Sequence, residues 1–160
     1  SPAPRAGILP ATDGEREAAQ QLMSLGAFWT TAIHPDFEVA KSNSLNRIPP
    51  EMQRAIFDRF GPESGRALFE LFFWMFDSNA ASAVDLDRIR CPVLCISGSD
   101  DRLIPPGTAR LTAEGLPHAA CWEAPDCGHM LLVEPSAEEI AHRIVDWLSN
   151  KNESANTITL

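Results

Sequence analysis

The sequence contains no stretch approaching the about 20 consecutive apolar residues that a bilayer-spanning helix requires. Its richest apolar run, Leu68 to Phe76, is short and carries Glu70. Cysteine is scarce: four residues in 160 do not make a disulfide-stapled mini-domain. The spacings Cys91-x-x-x-Cys95 and Cys121-x-x-x-x-x-Cys127 are not those of a zinc ribbon, and no metal or other cofactor is expected. Basic residues are also few. Thirteen Lys and Arg face 22 Asp and Glu, leaving a formal net charge of −9. That balance weighs against nucleic acid as a partner, since phosphate backbones are held by clustered cations. The opening Ser1-Pro2-Ala3-Pro4-Arg5-Ala6-Gly7 lacks the apolar core of a secretory signal. What remains is an acidic globular chain with 44% apolar residues, of cytoplasmic type and long enough for one sizeable core.

The pattern of apolar residues changes near residue 84. Before it, the chain reads as helical. Thr12-Asp13-Gly14-Glu15 has the form of a capping box, and Ala18, Leu22, Leu25 and Trp29 follow at helical spacing. A second helix is predicted from Pro49-Pro50, with Met52, Ile56, Phe57 and Phe60 inward and Gly61 as its stop. A third is predicted from Glu63 to Phe76, apolar nearly all round and therefore covered on more than one side. After residue 84 the period shortens. Pro92 to Ser97 reads as a buried strand, Thr108 to Gly115 as a helix and Ala119 to Ala124 as a second strand. Ser136-Ala137-Glu138-Glu139 then opens a helix that directs Ile140, Ile144, Val145, Trp147 and Leu148 inward. The expected organisation is a lead-in loop (1–11), a helical segment (12–83), a parallel strand–helix–strand–helix unit (84–149) and a disordered tail (150–160).

Ligands of open parallel α/β sheets bind beyond the carboxyl ends of the strands. Two loops occupy that edge here: Gly98-Ser99-Asp100-Asp101-Arg102-Leu103-Ile104-Pro105 and Pro125-Asp126-Cys127-Gly128-His129-Met130-Leu131. One supplies carboxylates, the other an imidazole. A carboxylate that accepts the imidazole Nδ1–H fixes the tautomer and leaves Nε2 free as a general base. Asp100 and Asp101 compete for that role. An aspartate in such a loop can also simply cap a turn.

The run Ile89 to Gly98 leading into Asp101 and Pro105, then Gly128-His129 and Glu134-Pro135, resembles the C-terminal part of α/β-hydrolase-fold enzymes. The resemblance is best over residues 84–149. It implies Asp101 as the catalytic acid and His129 as the base, and makes the helical segment 12–83 the cap inserted before them. The same frame, Gly98-x-x-Asp101-x-x-x-Pro105, favours Asp101 over Asp100. That family's nucleophile sits on a Gly-x-Ser-x-Gly elbow. No serine of this chain has glycine at both −2 and +2. Cys127, two residues before His129, is the one cysteine near the base, but a small buried or loop thiol is the plainer reading.

The resemblance therefore implies ester-type hydrolysis by a nucleophile–His–Asp triad to which this chain brings acid and base only. The chain alone is expected to be inactive, and to work with an N-terminal complement chain or as a homo-oligomer. An epoxide hydrolase or dehalogenase with an Asp nucleophile, or a non-catalytic binding fragment of the same fold, are the alternatives. For a small apolar ester-like substrate, the pocket candidates are Trp29, Leu103, Ile104, Met130 and Leu131.

Overall fold

A computed structural model describes the backbone of residues 4–156 and the side chains of residues 4–150. Helix α1 spans Asp13–Ser24. Its start is the capping box expected from sequence: Thr12 Oγ1 accepts the Glu15 N–H and a Glu15 carboxylate oxygen accepts the Thr12 N–H at 2.9 Å. The helix stops sooner than the apolar spacing implies. Leu25 is its C-cap and is exposed, and Trp29 lies in a separate 3-10 turn, Phe28–Thr30. No residue of α1 is buried, so its spacing does not mark a core-facing stripe.

Three short elements went unannounced in the sequence. β1 (Ala32–Ile33) pairs antiparallel with β2 (Glu63–Ser64), and α2 (Phe37–Ser42) starts at an Asp36 side chain that accepts the Val39 N–H. α3 (Pro50–Phe57) begins at the paired prolines as expected, and Ile56, Phe57 and Phe60 pack on Ala40, Leu45 and Ile48. Met52, expected inward, is exposed. α4 (Gly65–Phe72) is shorter than the predicted third helix. After Phe73 the backbone tightens into a 3-10 turn, Trp74–Phe76, which leaves Met75 and Phe76 exposed and not covered on all sides. Gly65 permits the tight start of α4, because a Cβ there would lie 2.0 Å from the Phe28 carbonyl oxygen. Phe28, Trp29, Phe69 and Phe73 then gather into one aromatic cluster.

A turn at 77–81 leads toward the second half. The Asp77 carboxylate accepts the Ala81 N–H at 2.8 Å and the Asn79 N–H at 3.0 Å. These bonds, Ala81's foremost, hold its pKa below the ordinary 3.8. A depressed folded-state pKa contributes stability above the unfolded value and loses it as pH falls through the folded one. The Asn79 and Ala81 amide resonances should therefore shift together on acidification, with a midpoint below 3.8. A midpoint at or above that value in an NMR titration would show that the carboxylate does not hold this turn.

The second half follows the sequence closely. β3 (Val93–Gly98) and β4 (Ala119–Ala124) are parallel and in register from Val93 opposite Ala119 to Gly98 opposite Ala124. α5 (Pro106–Glu114) joins them and α6 (Ala137–Asn156) follows. Alternation along the strands sorts the two faces. Val93, Cys95 and Ala119 pack with Ala109 and Ala113 of α5, while Ile96 and Trp122 pack with Ile140 and Ile144 of α6. The Arg143 guanidinium lies over the Trp122 ring, 4.1 Å from its centroid. Val145 and Leu148, expected inward, are exposed, because the two strands are too narrow to cover more than one stripe of α6. That helix also continues through Asn156, so the polar segment expected to be a disordered tail from residue 150 is helical at its start. An established helix adds residues at little cost. Residues 157–160, and residues 1–3 of the lead-in loop, lie outside the described residues. Among the described residues, no helix is long and apolar enough to cross a membrane.

Candidate active site

The parallel register brings the two strand ends together and with them the two loops. Ser99 N–H donates to the Ala124 carbonyl at 2.9 Å, and Asp100 N–H to the Cys127 carbonyl at 2.8 Å. Asp126 takes a left-handed conformation, φ 55°, and its N–H donates to Ser99 Oγ at 3.0 Å. The loops are thus stitched along their length before any functional side chain is considered.

His129 Nδ1 lies 3.0 Å from Asp101 Oδ2. The Asp101 side chain is wholly buried and the imidazole is 23% exposed. A carboxylate only accepts, so Nδ1 carries the hydrogen and Nε2 is the free nitrogen. The other Asp101 oxygen, Oδ1, accepts the Leu103 N–H at 2.9 Å and the Ile104 N–H at 2.8 Å. Turn-capping and imidazole-holding, which the sequence poses as rival roles for this aspartate, are performed together, one by each oxygen. The three donors also offset much of the cost of burying the carboxylate.

Asp100 turns the other way. Its carboxylate forms an ion pair with Arg47, which also lies 3.5 Å from Asp126. The hydrogen bonds that Arg47 donates to Asp100, then the charges of Asp100, Asp126 and Glu134, hold the guanidinium above its ordinary pKa against the opposing effect of burial. Asn46 Nδ2 donates to the Asp100 carbonyl at 2.8 Å. The 45–48 turn that presents both residues is itself held by buried Gln53, whose Nε2 donates to the Leu45 and Ile48 carbonyls. One arginine from the first half therefore touches a carboxylate in each loop. Sequence reasoning missed this contact. Its partners are 53 positions apart, and no local pattern announces it.

The remaining sequence candidates divide. Ile104 and Leu131 are buried, Leu131 in the cluster with Ile140. Met130 packs on the Leu45 and Ile48 cluster, at the seam between the two halves. Leu103 is exposed beside Asp101. Trp29 is not brought to these loops; with Arg66, Phe69 and Phe76 it lines a hollow of about 240 Å³ in the first half. Cys127 is buried, with Sγ 2.9 Å from Ser136 Oγ and 3.2 Å from the Pro125 carbonyl. Desolvation pushes the Cys95 and Cys121 thiols above their ordinary 9.0, which disfavours the thiolate a nucleophile needs.

Comparison with known proteins gives a consistent result. A protein whose name assigns it carbamate hydrolysis, RutD of Caulobacter sp. (strain K31), is 31% identical over 134 residues, covering 83% of this chain and 43% of its own length. A homoserine O-acetyltransferase of Deinococcus radiodurans is 42% identical over 50 residues, 31% of this chain and 15% of its own length. Among solved structures, the protein called non-heme bromoperoxidase BpoC of Mycobacterium tuberculosis H37Rv superposes with a TM-score of 0.57 at 16% identity, over 91% of this chain and 55% of that one. A thermophilic esterase of Thermogutta terrifontis superposes with a TM-score of 0.50 at 20% identity, over 89% and 52%. The chain thus spans about half the length of these structures and less than half of the curated relatives. The family model described as alpha/beta hydrolase fold matches residues 16–136, and the chain belongs to that family.

Proposed function

We propose that this chain supplies the acid, Asp101, and the base, His129, of a hydrolase acting on ester-type acyl bonds. Its nucleophile is contributed by another segment. The observation that carries the reading is the 3.0 Å contact between Nδ1 and Oδ2 across two loops at the carboxyl ends of adjacent parallel strands. In the proposed cycle His129 Nε2 takes the proton of the nucleophile as its oxygen attacks the acyl carbonyl, then passes that proton to the leaving group. Water attacks the acyl-enzyme, gives a proton to Nε2, and the nucleophile recovers it as the acid product departs. Asp101 stabilises the imidazolium formed in both halves without taking its proton.

The esterase, carbamate hydrolase and acetyltransferase named among the relatives all act at an acyl carbon, which supports that substrate class. Residues 12–83 form the cap in this reading, and Leu103 and Met130 are the apolar residues best placed to meet a small apolar substrate. Among the described residues β3 pairs only with β4, so its other edge is the proposed seat of a complement strand. Unpaired strand groups there favour either that complement or self-association.

A fluorophosphonate probe tests the reading. The chain alone should remain unlabelled and hydrolyse no ester above buffer. Combined with an N-terminal complement carrying the serine elbow, the complex should label stoichiometrically. An Asp nucleophile would instead give no labelling with turnover of an epoxide or haloalkane. A well-folded complex with neither property would favour the non-catalytic binding module.

A further inference from the structure

We infer that Glu134 is a positioning residue for His129, acting through the backbone on either side of it. The inference rests on the reading of His129 as the base. Glu134 is 3% exposed, yet it carries a carboxylate. Its Oε2 accepts the Gly128 N–H at 2.7 Å and its Oε1 accepts the Met130 N–H at 2.9 Å. Those amides belong to the residues immediately before and after His129. One side chain therefore holds the 127–128 and 129–130 peptides, which enclose the two-residue segment Gly128-His129.

The means of delivery is local. Val133 and Glu134 N–H groups both donate to the Met130 carbonyl, so residues 130–134 fold back on themselves, and Glu134 arrives beneath the loop just before α6 begins. The choice of a carboxylate is the informative part. Burying a charge is costly, and an apolar side chain would fill this space more cheaply. A carboxylate is, however, the one side chain of this length with two oxygens that both accept, and charge-assisted bonds to backbone N–H groups are stronger and shorter than neutral ones. Holding the 127–128 and 129–130 peptides restrains the short segment between them, and with it the direction of the His129 Cα–Cβ bond. With that direction set, the ring meets the Asp101 oxygen that the 101–104 turn holds in place. Asp101 sets the tautomer, and Glu134 sets where the ring is when it does so.

Glutamine discriminates this role from bulk stability. It keeps the shape and one acceptor oxygen but turns an NH₂ group toward the second amide, so one grip is lost and replaced by a donor–donor clash. The test uses the chain itself, with its histidines labelled with ¹⁵N. In the wild type, at a pH where the ring is neutral, His129 should show the hydrogen on Nδ1, and the Gly128 and Met130 amides should exchange slowly. In Glu134→Gln, still folded, the ratio of Nδ1–H to Nε2–H tautomers should fall by about tenfold, the size of effect one charge-assisted bond commands. The Gly128 and Met130 amides should exchange faster by a similar factor. Glu134→Ala should go further where it folds; where it does not, the glutamine variant decides. Unchanged tautomer populations in folded Glu134→Gln, whatever its melting temperature, would overturn the positioning role while leaving the Asp101–His129 pair intact. A wild-type ring with its hydrogen on Nε2 would overturn the pair, and the role with it.

Discussion

His129→Ala, introduced into the complete nucleophile-bearing protein, should lower kcat by about 10⁴-fold, the scale on which loss of a triad member acts. The reason lies in what the geometry leaves free. Asp101 engages Nδ1 at 3.0 Å, so the basic lone pair sits on Nε2, on a ring still 23% exposed. In the proposed cycle, removing the ring removes the group that takes the proton of the nucleophile and returns it to the leaving group. KM should move far less than kcat, because the imidazole works in the transition state and contributes little to holding the ground-state substrate. Asp101→Asn should lose a comparable factor by a different route. Asparagine can present its NH₂ to Nδ1, which favours the wrong tautomer without disturbing the shape of the loop. Active-site titration alongside steady-state rates separates lost chemistry from lost protein. A serine nucleophile gives a uniform loss of turnover. An aspartate nucleophile lets the first step proceed and traps the covalent ester, visible as a single-turnover burst followed by arrest. A His129→Ala enzyme within about tenfold of wild type would remove the imidazole from the mechanism.

The two loops were legible in the sequence because local rules govern them. The continuous apolar run Pro92–Ser97, with Gly98 just beyond it, reads as a strand buried from both faces, and β3 covers it to within one residue at each end. The capping box at Thr12 depends on residues three apart, and it forms as read. The carboxylate loop could be placed beside the imidazole loop because two parallel strands in register put their following loops side by side, while the choice of Asp101 over Asp100 came from the family resemblance. What escaped the sequence has the opposite character. The Arg47 pairing with Asp100 and the Glu134 grip on Gly128 and Met130 are side-chain choices made by tertiary packing. No periodicity encodes which of several charged residues turns inward. Two-residue strands such as β1 and β2 carry no alternation to detect. The first half misled in a further way. Phe76 and Leu25 sit in apolar patterns that suggest a core, yet both are exposed, because a pattern reports a face and not whether anything covers it.

The stability of the site and of the fold meet at Gly98, and Gly98→Ala should be among the most damaging single-methyl changes this chain can undergo. A Cβ built there would lie 2.2 Å from the Gly128 carbonyl oxygen and 2.3 Å from that of Cys127. Contacts this short force a displacement, and the atoms concerned are backbone, without the rotamers by which a side chain could step aside. The same Cys127 carbonyl accepts the Asp100 N–H at 2.8 Å, so moving it away breaks the stitch between the two loops. Gly128 immediately precedes His129, so the displacement also bears on the 3.0 Å contact with Asp101. Overpacking of this kind costs about 3 kcal/mol or more, which for a chain of this size is a fall in Tm of about 10 °C. Gly14→Ala is the matching control. Its Cβ would meet nothing within 4 Å, and it stands in the first turn of exposed α1, where alanine is the better helix former. That variant should melt at or slightly above the wild-type temperature. The two substitutions add the same methyl group and lower backbone entropy in the unfolded chain alike, so any difference between them belongs to the folded state. Equal melting temperatures would mean that the strand end and the base loop are not in the close contact on which the alignment of acid and base depends.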